Sequence, residues 1–417
     1  VNAELPWYRE PTRGQWASYF ACWSGWVLDA FDFTIFLLVM PLIALEFDVP
    51  VAAVAGSVTL TLLVRLLGGG VAGWAADRWG RKLPLMISIL WFAVFDGAIA
   101  LAPSFTAVLV LRTLFGFGMG GEWAVGTTMA MENWPERSRG LASGFLQGSW
   151  AIGYLIAAVA FALVVPVWGW RALFALGVLP ALLVLFIRKY VPESRVVKTD
   201  EPAPSSPWKS LVDHRSVMAF ATVTMVLGFS VYYALSALYP TMLFQEMSLG
   251  HGAISMLVAL FNVGMLCGAV VCGWVATRYG LRWAVATPAL LAVFGIPLYV
   301  GWVPGMTALG VGAFLTGALG VGWAGVVPAF LTGAFPAEIR SLATGLVYHI
   351  GAFVAAFVPL ATVGLATGMS IGLAGAIAVV SVISLAGLAA VLLLVPQPEP
   401  VSSTREEPLA RVIESAA

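Results

Sequence analysis

Apolar residues along this chain fall into blocks, and each block is long enough to cross a bilayer, which takes about 20 mostly apolar residues per helix. The first six lie near 17–40, 52–76, 84–102, 105–131, 139–165 and 171–190. A polar stretch from Pro192 to Arg215 follows, holding several Pro and Ser with Lys198, Asp200, Glu201, Lys209 and Asp213. Six more blocks run near 216–244, 252–276, 282–302, 306–331, 340–366 and 370–395, before a polar tail to Ala417. The pattern predicts an all-α polytopic membrane protein with twelve transmembrane helices. It divides into a six-helix bundle over 1–190, a linker over 191–215, a second six-helix bundle over 216–395 and a tail over 396–417.

An internal repeat supports the same division. Gly73 to Lys82 reads Gly-Trp-Ala-Ala-Asp-Arg-Trp-Gly-Arg-Lys, and Gly273 to Arg282 answers with Gly-Trp-Val-Ala-Thr-Arg-Tyr-Gly-Leu-Arg, displaced by 200 positions. Trp134-Pro135-Glu136-Arg137-Ser138-Arg139-Gly140 is echoed by Phe335-Pro336-Ala337-Glu338-Ile339-Arg340-Ser341 at an offset of 201. The chain reads as a tandem duplication whose first copy kept more of its charge.

Composition then excludes whole classes. Hydrophobic residues make up 60% of the chain and charged ones 10%, against roughly 25% charged in a soluble domain. There is too little polar surface to coat a water-soluble globule. The net charge is zero, so nucleic acid is not an expected partner. Cys22, Cys267 and Cys272 all fall inside apolar blocks and read as packing residues, not a disulfide framework. No His/Glu metal spacing, Ser/His pairing or soluble catalytic domain is present, so neither an enzyme, a metal site nor a cofactor is expected. Val1 to Gln15 lacks the basic region and cleavage site of a secretory signal, so the first block is expected to be a retained span. Nearly all Lys and Arg outside the blocks fall on one side if both termini share it, which predicts both termini in the cytoplasm. Nothing calls for an oligomer, and a monomer is expected.

Particular residues now point to a family. Gly73-x-x-x-Asp77-Arg78-x-Gly80-Arg81-Lys82 after the second block resembles the signature loop of the major facilitator superfamily, as the six-plus-six repeat resembles its architecture. Arg112-Thr-Leu-Phe-Gly116-Phe-Gly118-Met-Gly120-Gly121-Glu122 is similar to that superfamily's Arg- and Gly-rich motif. Pro6-Trp7-Tyr8-Arg9, Leu28-Asp29-Ala30-Phe31-Asp32-Phe33, the stretch Val164 to Phe174 and Pro192-Glu193 resemble the bacterial sialic-acid/proton symporters. The related lactate/proton symporters share the Asp-x-Phe-Asp-Phe pattern. The linker is too short for the extra spans those sialic-acid members carry. The resemblance implies a multi-pass protein of the bacterial inner membrane that takes up an organic carboxylate with protons by alternating access. Sialic acid heads the substrates it implies, with lactate or another small monocarboxylate as the alternative. Its partners would be a small organic anion, protons and the lipid bilayer. A drug/proton antiporter on the same fold fits less well, because Gly144 to Tyr154 lacks a proline.

Charges inside the apolar blocks are Asp29, Asp32, Arg65, Asp96, Arg112 and Glu122. Each costs at least ~2.5 kcal/mol near the bilayer centre unless paired or facing water, so each is a functional candidate. At 1.5 Å per residue, Arg65 lies roughly 18 Å from the Asp77 end, and Asp29 and Glu122 come to similar depths. Arg65 is the candidate for the substrate carboxylate, since a guanidinium offers a planar two-bond fork. A structural pair with Asp29 or Asp32 is the plain alternative. Asp32, Glu122 and Asp29 are candidates for the coupling proton, since substrate at Arg65 would loosen that arginine's hold on an acid. Asp77, Arg78 and Arg81 are expected to latch the cytoplasmic end, with topology signalling as the alternative. Arg112 is expected to pair with Glu122 or Asp96, and Asp96 reads as structural.

The second half carries no full charge within its blocks. Asn262 and His349 are its main polar marks, with Thr277 and Leu281 standing where the first copy has Asp77 and Arg81. Trp123 and Tyr154, with Trp26, Tyr232, Tyr233, Trp323 and Tyr348, are candidates to wall a cavity. Asn262, His349, Trp123, Tyr154 and Asp29 thus join Arg65 as expected substrate contacts.

Overall fold

The computed structural model describes residues 6–194 and 206–396. Arg195, Lys198, Asp200 and Glu201 of the linker, and the tail beyond 396, lie outside the described residues. The first half comprises α1 (Arg13–Glu46), α2 (Val51–Trp79), α3 (Lys82–Ile99), α4 (Phe105–Asn133), α5 (Arg139–Trp168) and α6 (Trp170–Tyr190). A short helix, Pro207–Asp213, precedes the second half. There, α7 is Arg215–Gln245 and one long stretch runs over Gly252–Tyr299. Gly280 breaks that stretch with φ 80° and ψ 168°, which divides it into α8 (252–279) and α9 (281–299). The chain ends in α10 (Met306–Ala334), α11 (Arg340–Gly368) and α12 (Gly372–Leu394). The eleven long apolar stretches are therefore twelve spans, as the hydropathy pattern predicts.

The duplication is written into the backbone as well as the sequence. Gly80 turns the chain between α2 and α3 with φ 100° and ψ 159°, and Gly280 does so between α8 and α9 with nearly the same angles. A left-handed φ of this kind costs a glycine little and other residues much more. Asp48 and Ser248, again 200 apart, share the left-handed region at φ 50° and 52°. Beside them Glu46 and Glu246 do matching work. Glu46 at the end of α1 accepts from Trp170 Nε1 at 2.6 Å and Arg171 Nη2 at 2.7 Å at the start of α6. Glu246 at the end of α7 accepts from the backbone N–H groups of Leu373 and Ala374 at the start of α12. Each half thus has its first helix clasped to its last.

Two junctions join the halves at the Lys/Arg-rich end. Along α2 and α11, Gly73 packs on Ser341 and Leu342, and Gly69 on His349. Along α5 and α8, Gly140 packs on Gly273 and Thr277, Gly144 on Ala269 and Val270, and Gly148 on Leu266. Small residues are what allow helices to approach this closely in a membrane. Both runs of contact start at that end and reach the level of Arg65. The Lys/Arg-rich end is closed.

Candidate substrate and proton site

The latch expected from the signature loop is assembled across the halves. Asp77 accepts from the backbone N–H groups of Ser341 and Leu342, both at 2.9 Å, and so caps the first turn of α11. The exposed amides and dipole at a helix start favour such an anion. Arg81 pairs with Asp77 at 3.0 Å and with Glu132 at 3.0 Å, and donates to the Ala337 carbonyl of the second half at 3.0 Å. Burial alone disfavours the Arg81 charge, but Glu132 and Asp77 outweigh it and hold the pKa above the usual arginine value. Glu132 is the hub, for it also accepts from Arg340 at 2.8 Å and from the Ser194 hydroxyl at 2.7 Å. Glu193 accepts from the Arg81 and Lys82 backbones. Arg78 stands apart, exposed and over the Trp74 ring. Glu132, Arg340 and Ser194 carry no motif of their own, and single-sequence reading passes over them. Arg340 is the repeat mate of Arg139, but Glu132 corresponds to Gly333, so only one copy could form the pair.

Above the latch, at the contact between the halves, stands Arg65. It is 5% exposed, and its Nη2 lies 3.6 Å from Asp29 Oδ2, a looser contact than a hydrogen bond. Its Nε and Nη2 make no hydrogen bond to the protein. Trp26 of α1 lies 5.6 Å from the guanidinium, and Tyr348 of α11 lies 6.0 Å from it on the other half. Around these two rings an aromatic box is built from both bundles. Trp123 stacks on Tyr348 with centroids 3.4 Å apart and an interplanar angle of 19°. Trp26 meets Trp150 at 4.9 Å, and Phe229 links Tyr348 to Trp323. The indole N–H groups of Trp26 and Trp323 and the Gln147 Oε1 are buried without a partner. A buried guanidinium beside aromatic rings and a few spare polar groups is suited to an organic anion. Tyr348 and Gln147 deserve more weight than sequence reading gives them.

The remaining candidates separate. Tyr154 is half-buried on α5. Asn262 is buried, and its amide donates to Val258 O of its own helix at 2.9 Å. His349 is 1% exposed, and its Nε2 bonds to Gly120 O across the halves at 3.1 Å. That bond makes the ring part of the seam between α11 and α4. Arg112 forms its pair with Asp96 at 3.0 Å, sandwiched between Phe36 and Phe115 at 4.3 and 4.1 Å. Asp32 is fully buried, with neither oxygen hydrogen-bonded to the protein. The Glu122 carboxylate lies inside the first bundle, where a Cβ built on Gly25 would stand 2.5 Å from it. Glycine at 25 makes the space for that acid. Among the described residues no group of His, Cys, Asp and Glu could hold a metal ion.

The profile of the Major Facilitator Superfamily matches residues 22–252 and 220–415, which together span nearly the whole chain. The chain belongs to the major facilitator superfamily. That makes it a multi-pass membrane transporter and not an enzyme. A probable 4-methylmuconolactone transporter of Cupriavidus pinatubonensis is 31% identical over 354 residues, covering 83% of this chain and 82% of that protein. The sialic acid transporter NanX of Escherichia coli is also 31% identical, over 349 residues, covering 83% of this chain and 86% of its own. In fold, the proton:xylose symporter XylE superposes with a TM-score of 0.73 at 16% identity, over 92% of this chain and 96% of that one. The two junctions and the clasped bundles above are thus parts of a major facilitator fold closed at its Lys/Arg-rich end.

Proposed function

We propose that this transporter imports an organic carboxylate together with protons, in the cytoplasmic membrane of a bacterium, by alternating access. The observation that carries the reading is Arg65. It is a buried guanidinium with unpartnered donors, held loosely by Asp29 and flanked by rings from both halves. The Arg112–Asp96 pair is closer, hydrogen-bonded at 3.0 Å, whereas Arg65 and Asp29 stand 3.6 Å apart. An entering carboxylate would take the fork of Arg65, which loosens that arginine's hold on the acids around Asp29 and favours a proton among them. Asp32 and Glu122 are the other acids in reach of that exchange. Trp123 is assigned to the aromatic box and His349 to the seam between α11 and α4, while Tyr154 and Asn262 stay as expected substrate contacts.

Among carboxylates, the aromatic box favours one that carries a ring over a small acid such as lactate, because stacking and apolar area then add to the ionic contact. The substrates named for the two relatives, 4-methylmuconolactone and sialic acid, are both of that kind. Sialic acid remains the first substrate to test. Proteoliposomes holding the purified protein, given radiolabelled sialic acid, 4-hydroxybenzoate or lactate with and without an acid-outside gradient, test the proposal. Gradient-dependent uptake of a ring-bearing acid is expected. Failure of all three acids to move, or gradient-driven export of cationic dyes, would overturn it. Arg65→Lys keeps the charge and loses the fork, and is expected to weaken substrate binding at least tenfold, a loss of about 1.5–3 kcal/mol for charged hydrogen bonds. Unchanged affinity by calorimetry would remove Arg65 from substrate contact.

A further inference from the structure

The six charges within the membrane do not balance. Asp29, Asp32, Asp96 and Glu122 face only two cations, Arg65 and Arg112. Arg65 takes Asp29 and Arg112 takes Asp96. Asp32 and Glu122 are left 0% and 1% exposed with no cation within ion-pair distance among the described residues. Both Asp32 oxygens and Glu122 Oε2 also have no hydrogen-bond donor from the protein. The groups facing Asp32 are Asp29, Asp96 and Arg112, and those facing Glu122 are Asp29, Arg65 and Cys22. Nor does His349 supply the missing charge. Its Nε2 is spent on Gly120 O, its Nδ1 has no partner, and a charged ring would bury a second donor unpaired. The cytoplasmic latch shows what balance looks like. There the two buried acids Asp77 and Glu132 meet Arg81 and Arg340, and all four are hydrogen-bonded.

An isolated ionised carboxylate costs so much in an apolar interior that it takes a proton instead. Resting on the proton-coupled reading above, we infer that the protein closed at its cytoplasmic end holds two protons inside the first bundle, on Asp32 and on Glu122, and that both travel with each substrate anion. Their placement makes release concerted. Glu122 touches α1 at Gly25, while Asp29 and Asp32 follow on the next two turns of the same face, each turn rising about 5 Å. Asp29, the partner of Arg65, stands between the two protonated acids. Whatever hydrates Arg65 from the cytoplasm reaches both acids within one turn. Two protons with a monoanion carry one net positive charge inward, so the membrane potential also drives uptake.

The test is a balance-point measurement on proteoliposomes, with the potential clamped at zero by potassium and valinomycin. Radiolabelled sialic acid or 4-hydroxybenzoate, whichever the uptake panel detects, is the probe. With one pH unit across the membrane, net flux is expected to vanish at a hundredfold substrate ratio. A tenfold balance would mean one proton and overturn the inference while leaving proton-coupled uptake intact. No response to the gradient would overturn both. A second readout needs no substrate. In infrared spectra at neutral pH, Asp32→Asn and Glu122→Gln are each expected to lose the carbonyl stretch of one protonated carboxylic acid. An unchanged band in either variant would show that acid to be ionised and overturn its assignment.

Discussion

The two junctions that close the Lys/Arg-rich end are related by the internal repeat, yet they are held by different chemistry. Between α2 and α11, Asp77 caps a helix and Arg81, Glu132 and Arg340 form a buried ionic hub. Between α5 and α8, Thr277 stands at the Asp77 position and spends its hydroxyl on Gly273 O of its own helix, at 3.0 Å. What holds that side is close packing of Gly140, Gly144 and Gly273, with one hydroxyl, Ser143, donating to Gly325 O at 2.6 Å. A charged junction is directional: it forms in one register and is expensive to leave half-made. A glycine junction is smooth and tolerates sliding. The contrast suggests that one side acts as a catch and the other as a bearing.

Three substitutions sharpen the contrast, read through maleimide labelling of a reporter cysteine at Ala269, which is buried at the junction. The largest effect is expected for Asp77→Asn, which weakens two charge-assisted bonds and the pair with Arg81. About 3 kcal/mol should be lost from the closed state, roughly a hundredfold in its ratio to the open one. Labelling as slow as in the parent protein would show that the latch is dispensable. Gly144→Ala places a Cβ 2.5 Å from Ala269 O, a backbone atom that cannot swing aside. Overpacking of this kind costs about 1–3 kcal/mol, and faster labelling with a lower melting temperature is expected. A stabilised variant would contradict the close approach. Thr277→Val should change labelling least, by under about 0.5 kcal/mol. A change as large as that of Asp77→Asn would erase the asymmetry.

Much of this was legible in the chain itself. Twelve spans follow from twelve apolar blocks, and even the break at Gly280 is foretold by its match to Gly80. Asp77 and Arg81 could be named from the signature loop they resemble, and the buried acids because charge inside apolar runs is rare enough to stand out. Partnership was harder. Helix rise gives depth but says little about azimuth, so it could not show that the Glu122 carboxylate abuts Gly25 of α1. Glu132 meets Arg340 across 208 positions, a distance no local pattern spans. Tyr348 gains its place from stacking on Trp123, and among 17 tryptophans and 10 tyrosines in the chain no spacing rule singles out that pair. His349 was visible as a lone polar mark, and only its contact with Gly120 makes it part of the seam.

Glu46 and Glu246 give the fold a mechanical consequence. By tying the first helix of each bundle to the last at the end away from the latch, they close each half into a ring. A ring resists shear between its members, so force applied at one rim is carried whole to the other. Breaking the catch at Asp77 should therefore be felt as a tilt of an entire half and not as fraying of α11 alone.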